Sequence, residues 1–152
     1  MAIVIDPNTL VLVVNGAQIK DFPATGTILD IAPGQAPATY VASFGRDAAV
    51  IGPEWWTVSV TVESGSVGDN WFEQSIRAFR SLKSLWSMSA ERGGNVLFSS
   101  VGMVPTTIPN IVLAADGLPM RTWVASGKCQ VAATAGIYVA APTLTAEQVA
   151  SA

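Results

Sequence analysis

The stretch Trp55-Trp56-Thr57-Val58-Ser59-Val60-Thr61-Val62-Glu63, followed by Ser64-Gly65-Ser66-Val67-Gly68-Asp69 and a periodic run to Ser87, decides the fold. Trp56, Val58, Val60 and Val62 fall on one face and Trp55, Thr57, Ser59, Thr61 and Glu63 on the other, the period of two of a strand with one buried face. The second face is polar and almost uncharged. Beyond the turn, Phe72, Ile76, Phe79 and Trp86 recur at helical spacing, with Trp71, Leu82 and Leu85 widening the stripe. The spacing predicts one amphipathic helix over about residues 69–87, which needs a sheet or another helix to lie on. Ser66-Val67-Gly68-Asp69 is a capping pattern, and Asp69 can itself cap the following turn. Glu73 and Arg77 stand four apart in the favourable order, while Arg77, Arg80 and Lys83 form a basic edge best read as a solvated face. An α+β domain, mainly β, with one dominant helix follows.

Upstream, residues 1–8 read as an arm leading into the β-branched run Thr9 to Val14. Asn15-Gly16 then joins that run to Ala17–Phe22, the strongest short-range hairpin signal because both turn positions need positive φ. Thr27 to Ile31 reads as a short strand. Positions 32–54 read as a long excursion holding one short strand, Tyr40 to Phe44, and excursions of that length usually carry function or interaction. Downstream of Gly93-Gly94, strands are expected at Asn95–Ser100, Asn110–Ala115 and Arg121–Ser126, with Val104–Pro109 as a connection. Lys128–Ala133 and Gly136–Ala140 are weaker strand signals, and residues 142–152 form a small, polar tail.

A chain of 152 residues is one domain's length and can bury a core without disulfides or metal. Only 12% of it is charged, about half the roughly 25% usual for a soluble domain. Such a chain either presents a Ser, Thr, Ala, Asn and Gly surface or buries much of its surface in an assembly, where interface cores are depleted of charge. The net charge of -3 supplies no drive toward nucleic acid or acidic membranes. The uncharged windows Gly93–Ala115 and Cys129–Ala146 are too rich in Pro, Ser, Thr and Asn to serve as spans of ~20 apolar residues. Met1 to Pro7 lacks a basic n-region, so no signal peptide and synthesis in the cytoplasm are expected.

Chemistry is marked by what is missing. With no histidine, the common triads, the paired-His zinc motif and the usual neutral-pH general base are excluded. Cys129 is alone and reads as a small buried hydrophobe, leaving neither a disulfide nor a thiolate cluster for zinc. Glu54, Glu63, Asp69 and Glu73 specify no acid/base pair by spacing. Gly65-Ser66-Val67-Gly68 lacks the Gly-Lys-Ser/Thr of a phosphate loop. Trp55, Trp56, Trp71, Trp86 and Trp123 are not interleaved with cations and read as core or interface anchors. No enzyme, no cofactor and no metal are expected.

The order of elements is an Asn-Gly hairpin, a long loop with Phe44-Gly45-Arg46-Asp47, the alternating strand to Glu63, one helix, then strands including Arg121-Thr122-Trp123. It resembles the tail tube proteins of contractile-tailed bacteriophages and related tube-type structural proteins. The resemblance covers roughly residues 9–140. Ala48-Ala49 stand where that family often carries a second glycine. The resemblance implies a β-sandwich or barrel with a flanking helix, rings of six subunits stacked into a tube, and a lumen that conducts DNA during ejection without binding it. It implies location in the virion tail and sheath, baseplate and terminator proteins as partners. On that basis Phe44, Gly45, Arg46, Asp47, Val50 and Ile51 are expected at subunit or ring contacts, and Thr57, Ser59, Thr61 and Glu63 on the lumen-facing strand. Open at this point are a main tube subunit, a tube-like baseplate or terminator component, a capsid decoration protein, and a monomeric carbohydrate- or host-binding β-sandwich with exposed aromatics.

Overall fold

The structure, a computed structural model, describes residues 9–23, 26–34, 38–52, 54–115, 117 and 119–131. The β-branched run of the N-terminal half becomes β1 (Leu10–Val14), which turns through Asn15 (φ 50°) and Gly16 (φ 85°) into β2 (Ala17–Ile19). This is the hairpin that Asn-Gly predicts. β3 (Leu29–Pro33) leads to a separate two-stranded ribbon of β4 (Ala38–Ser43) and β5 (Arg46–Ile51). β6 (Trp56–Glu63) feeds the helix α1 (Val67–Leu82). β7 (Trp86–Arg92), β8 (Asn95–Thr107), β9 (Met120–Gly127) and β10 (Gln130–Val131) follow.

The main sheet runs β2-β1-β7-β8-β9-β6-β3, antiparallel throughout, with β10 beside β8. The 13-residue β8 ties its halves together. Met103 pairs with Trp86 of β7 on one side and Gly127 of β9 on the other. The Glu63 N–H donates to the carbonyl of Asp21, just past β2, so the two ends of the sheet approach one another. The sheet is nevertheless not closed into a barrel, and β2 and β3 remain its edges.

Alternation decides which side is buried. Val58, Val60 and Val62 of β6, Leu12 and Val14 of β1, Trp86, Met88 and Ala90 of β7, Phe98 and Met103 of β8, and Trp123 and Ala125 of β9 form one buried cluster with Phe72 and Ile76 of α1. Strands four places apart in the sheet can share a core with two helical side chains only if the sheet curls around them. Phe72 stacks on Trp123 at 5.5 Å and lies 5.5 Å from Trp86, so three aromatic rings fill the place where helix meets sheet.

Several expectations are corrected. The helix starts at Val67, capped by Ser66, whose hydroxyl accepts from the Asp69 N–H, and stops at Leu82 because Lys83 turns left-handed (φ 59°). Trp86 belongs to β7, yet it stays buried because that strand turns its alternating face to the same core. The 32–54 segment contains the end of β3 and the whole β4–β5 hairpin where one short strand was expected. Residues 95–107 form one continuous strand where a strand and a connection were expected, because β8 needs that length to reach both β7 and β9. Asn110–Ala115 carries no strand. The expected arm 1–8, strand Gly136–Ala140 and tail 142–152 lie outside the described residues. No helix among the described residues is long and apolar enough to cross a membrane.

Candidate functional site

The start of α1 is locked to β9 by a buried polar cluster. Arg121 Nη1 donates to Asp69 Oδ1 and Oδ2 at 2.9 and 3.0 Å and to Glu73 Oε1 at 2.8 Å, and its Nη2 donates to the carbonyl of Pro109 at 3.0 Å. Trp123 Nε1 and the Gly65 N–H complete Asp69's partners at 3.0 Å each. Burial opposes the charge on Arg121, but the bonds and fields of Asp69 and Glu73 outweigh it and hold the guanidinium above its ordinary value. Glu73 therefore serves Arg121, 48 residues away, where sequence spacing points to Arg77. Among its buried side-chain atoms only Arg121 Nε lacks a partner, and the cluster ties the start of the helix, β9 and Pro109 together.

On this frame stands the β4–β5 hairpin, with partners Ala38↔Ile51 through Ser43↔Arg46. Phe44, Gly45, Arg46, Asp47, Val50 and Ile51, expected at contacts, are brought together as its turn and second strand, and every β5 residue is exposed. Phe44 is 104% exposed and Ile51 84%, and Tyr40, Val41 and Val50 are also exposed. The register places Tyr40, Ala42, Ala49 and Ile51 on one face and Val41, Ala48 and Val50 on the other, so neither face is buried. A two-stranded ribbon is at best marginally stable in water. The Tyr40 hydroxyl bonds to Asp47 on the opposite strand and is held above its ordinary value by that bond and, less, by burial.

Phe44 (φ 48°) and Gly45 (φ 74°) occupy a turn with positive φ at both centres, the geometry that Asn15-Gly16 also adopts. Asn suits this position; a fully exposed Phe does not.

Thr57, Ser59, Thr61 and Glu63 lie on the outward face of β6, as the alternation requires. Thr57 pairs with Ser126 and Thr61 with Thr122, their hydroxyls 3.0 Å apart in each case. With Asp30 opposite Ser59 and Val124 on its other side, the outward side chains of β3, β6 and β9 include two carboxylates and no cation.

No protein-family model matches the sequence, and no curated protein matches it. Among solved structures, the cryo-electron-microscopy structure of the anti-feeding prophage cap, its tube-terminating cap, is similar with a TM-score of 0.52 at 14% identity, over 87% of this chain and 94% of the cap chain. The chain shares that cap's fold. The likeness runs through nearly the whole of both chains.

The tryptophans serve the fold. Trp86 and Trp123 are buried, and Trp56 and Trp71 are half-buried against the core. Trp71 Nε1 bonds the Val14 carbonyl and Trp86 Nε1 the Ser75 carbonyl. They form no exposed aromatic cluster of the kind a sugar-binding face uses. Cys129 is buried, and burial pushes its thiol up, with the Glu54 charge adding to it against a hydrogen bond from the Ser99 backbone.

Sequence reading missed one surface. Ile108, Ile111, Val112 and Leu113, in the connection between β8 and β9, are exposed, Leu113 at 96%. Their apolar side chains were the available signal, but Ile108 read as part of a connection and Ile111 to Leu113 as part of an ordinary strand of the fold.

Proposed function

We propose that this protein is a structural subunit of a phage-tail-type tube, assembling through its own copies into rings, six-membered as the family resemblance implies. The observation that carries the reading is the fold shared, over 94% of that chain, with a tube-terminating cap. That same likeness favours a place at the end of a tube over a place along its shaft. The exposed β4–β5 hairpin supports it as the contact element: its apolar residues need a cover that the described residues of one copy do not supply. The outward Ser/Thr face of β6 and β9, with no cation on it, suits a wall past which DNA moves without being gripped. Catalysis has no part in this proposal, which is geometric: one set of heterologous contacts closes a ring and a second stacks it.

The test is negative-stain electron microscopy of the purified protein over a concentration series, with mass photometry on the same samples. Rings with a central hole support the proposal. Long stacks place the protein along the shaft, and single rings that bind only the ends of preformed tubes place it at the terminus. A monodisperse monomer at every concentration, with or without preformed tubes, overturns it.

A further inference from the structure

The segment Asn110-Ile111-Val112-Leu113-Ala114-Ala115 has the composition of a strand and does not form one. All six residues are exposed. Both flanks are fixed: the Pro109 carbonyl accepts from Arg121, and the Pro119 carbonyl accepts from the Ser64 N–H beside the start of α1. An uncharged β-branched run held out from the frame with its ladder unmade is suited to pairing with a strand edge.

The molecule itself bears the matching edge. β3 is a poor acceptor: Ile28 and Gly34 bond toward β6, so alternation turns Leu29, Ile31 and Pro33 to the open side, where Pro33 has no N–H to give. β2 is three residues long. The β4–β5 hairpin differs from both. Its strands are six residues each, the length of the 110–115 segment, and neither contains a proline. Among the described residues, neither of its outer edges pairs with a further strand. Its faces expose Val41, Val50 and Ile51, apolar like Ile111, Val112 and Leu113 of the segment.

We propose that residues 110–115 of one copy add as a third strand to the β4–β5 hairpin of a second copy. Two different patches of the same chain then complement each other, a heterologous contact that propagates from copy to copy and either closes a ring or extends. The added strand also turns a marginal ribbon into a three-stranded sheet. This rests on the reading that copies of the chain assemble with one another.

Two exposed-site variants test it. Ile111→Asp with Leu113→Asp spoils the donated segment and leaves the hairpin intact. Ala42→Pro with Ala49→Pro spoils the hairpin edges. In a two-residue hairpin closed by Ser43↔Arg46, residues 42 and 49 point their N–H groups outward, so the hairpin's own bonds survive. Circular dichroism and thermal melting check that both retain the main fold. The expected result by mass photometry is that each variant alone stays monomeric under conditions where the wild type assembles, while a 1:1 mixture forms a dimer that grows no further. Self-assembly of either variant alone overturns the inference while leaving the ring reading in place, and so does a mixture that stays monomeric. A wild type that never assembles overturns the ring reading itself.

Discussion

Asp69 is where local and long-range requirements meet. It lies in the first turn of α1, where a carboxylate favours the helix N-terminus, and it also holds the buried guanidinium of Arg121. Removing it leaves that guanidinium, 4% exposed, without its main partner. Asp69→Ala is therefore expected to cost about 3–5 kcal/mol, the range for an uncompensated buried charge. Glu73, partly exposed, contributes less, and Glu73→Gln is expected to cost about 1 kcal/mol. Urea denaturation midpoints of the two variants check the order. Cys129 makes a prediction about pH. Its native thiol is raised, so its contribution to stability is full below the ordinary thiol value of roughly 8.5 and is lost as pH rises through the native value. Alkylation by iodoacetamide at pH 8 is expected to be slow in buffer and fast in urea; equal rates would show the thiol to be open.

At the scale of elements, the positive-φ turns at Asn15-Gly16 and Phe44-Gly45 make a natural comparison. Asn15-Gly16 obeys local preference, and the Asn15 side-chain oxygen also accepts from the Ser87 N–H. Phe44-Gly45 sets a bulky aromatic in the left-handed region with its ring in water. A side chain placed against both conformational and solvation preference points to use on assembly. Phe44→Asn is expected to leave the melting temperature unchanged or raised and to weaken assembly at least tenfold in concentration, read by mass photometry. Unchanged assembly would reduce Phe44 to a tolerated turn residue. The end of α1 offers a purely structural contrast. Lys83 is left-handed at the C-cap, with its N–H on the Phe79 carbonyl. Glycine there relieves the strain, so Lys83→Gly is expected to stabilise the fold by about 1 kcal/mol in urea denaturation.

At the scale of the whole molecule, low charge is the property to explain. Only 19 of 152 residues are acidic or basic, 8 Lys and Arg plus 11 Asp and Glu, and the exposed apolar residues concentrate on the β4–β5 hairpin and the 108–113 connection. Association through such surfaces is driven by apolar burial and backbone pairing, which salt does not screen. Assemblies are therefore expected to survive 1 M NaCl, whereas dispersal between 0.1 and 0.5 M, followed by light scattering, would mean that charge carries the contacts.

Local pattern by itself determined the β1–β2 hairpin, the buried face of β6, the capped start of α1 and the mainly β class, because each is written in neighbours two to four residues apart. It read the 32–54 segment as mostly loop, because exposed apolar residues with no polar partner strand look like a connection and the hairpin's pairing is visible only in the register. Three features were left to the tertiary structure. Whether the apolar stripe at Trp86 continued a helix or began a strand was decided by Lys83 and by a core that serves either periodicity. Which cation Glu73 meets was decided by β9, since spacing along a helix says nothing about an arginine delivered from 48 residues away. Whether Asn110–Ala115 pairs depends on an edge strand within reach; composition states only a strand's preference, and the fold of a single copy leaves that preference unmet.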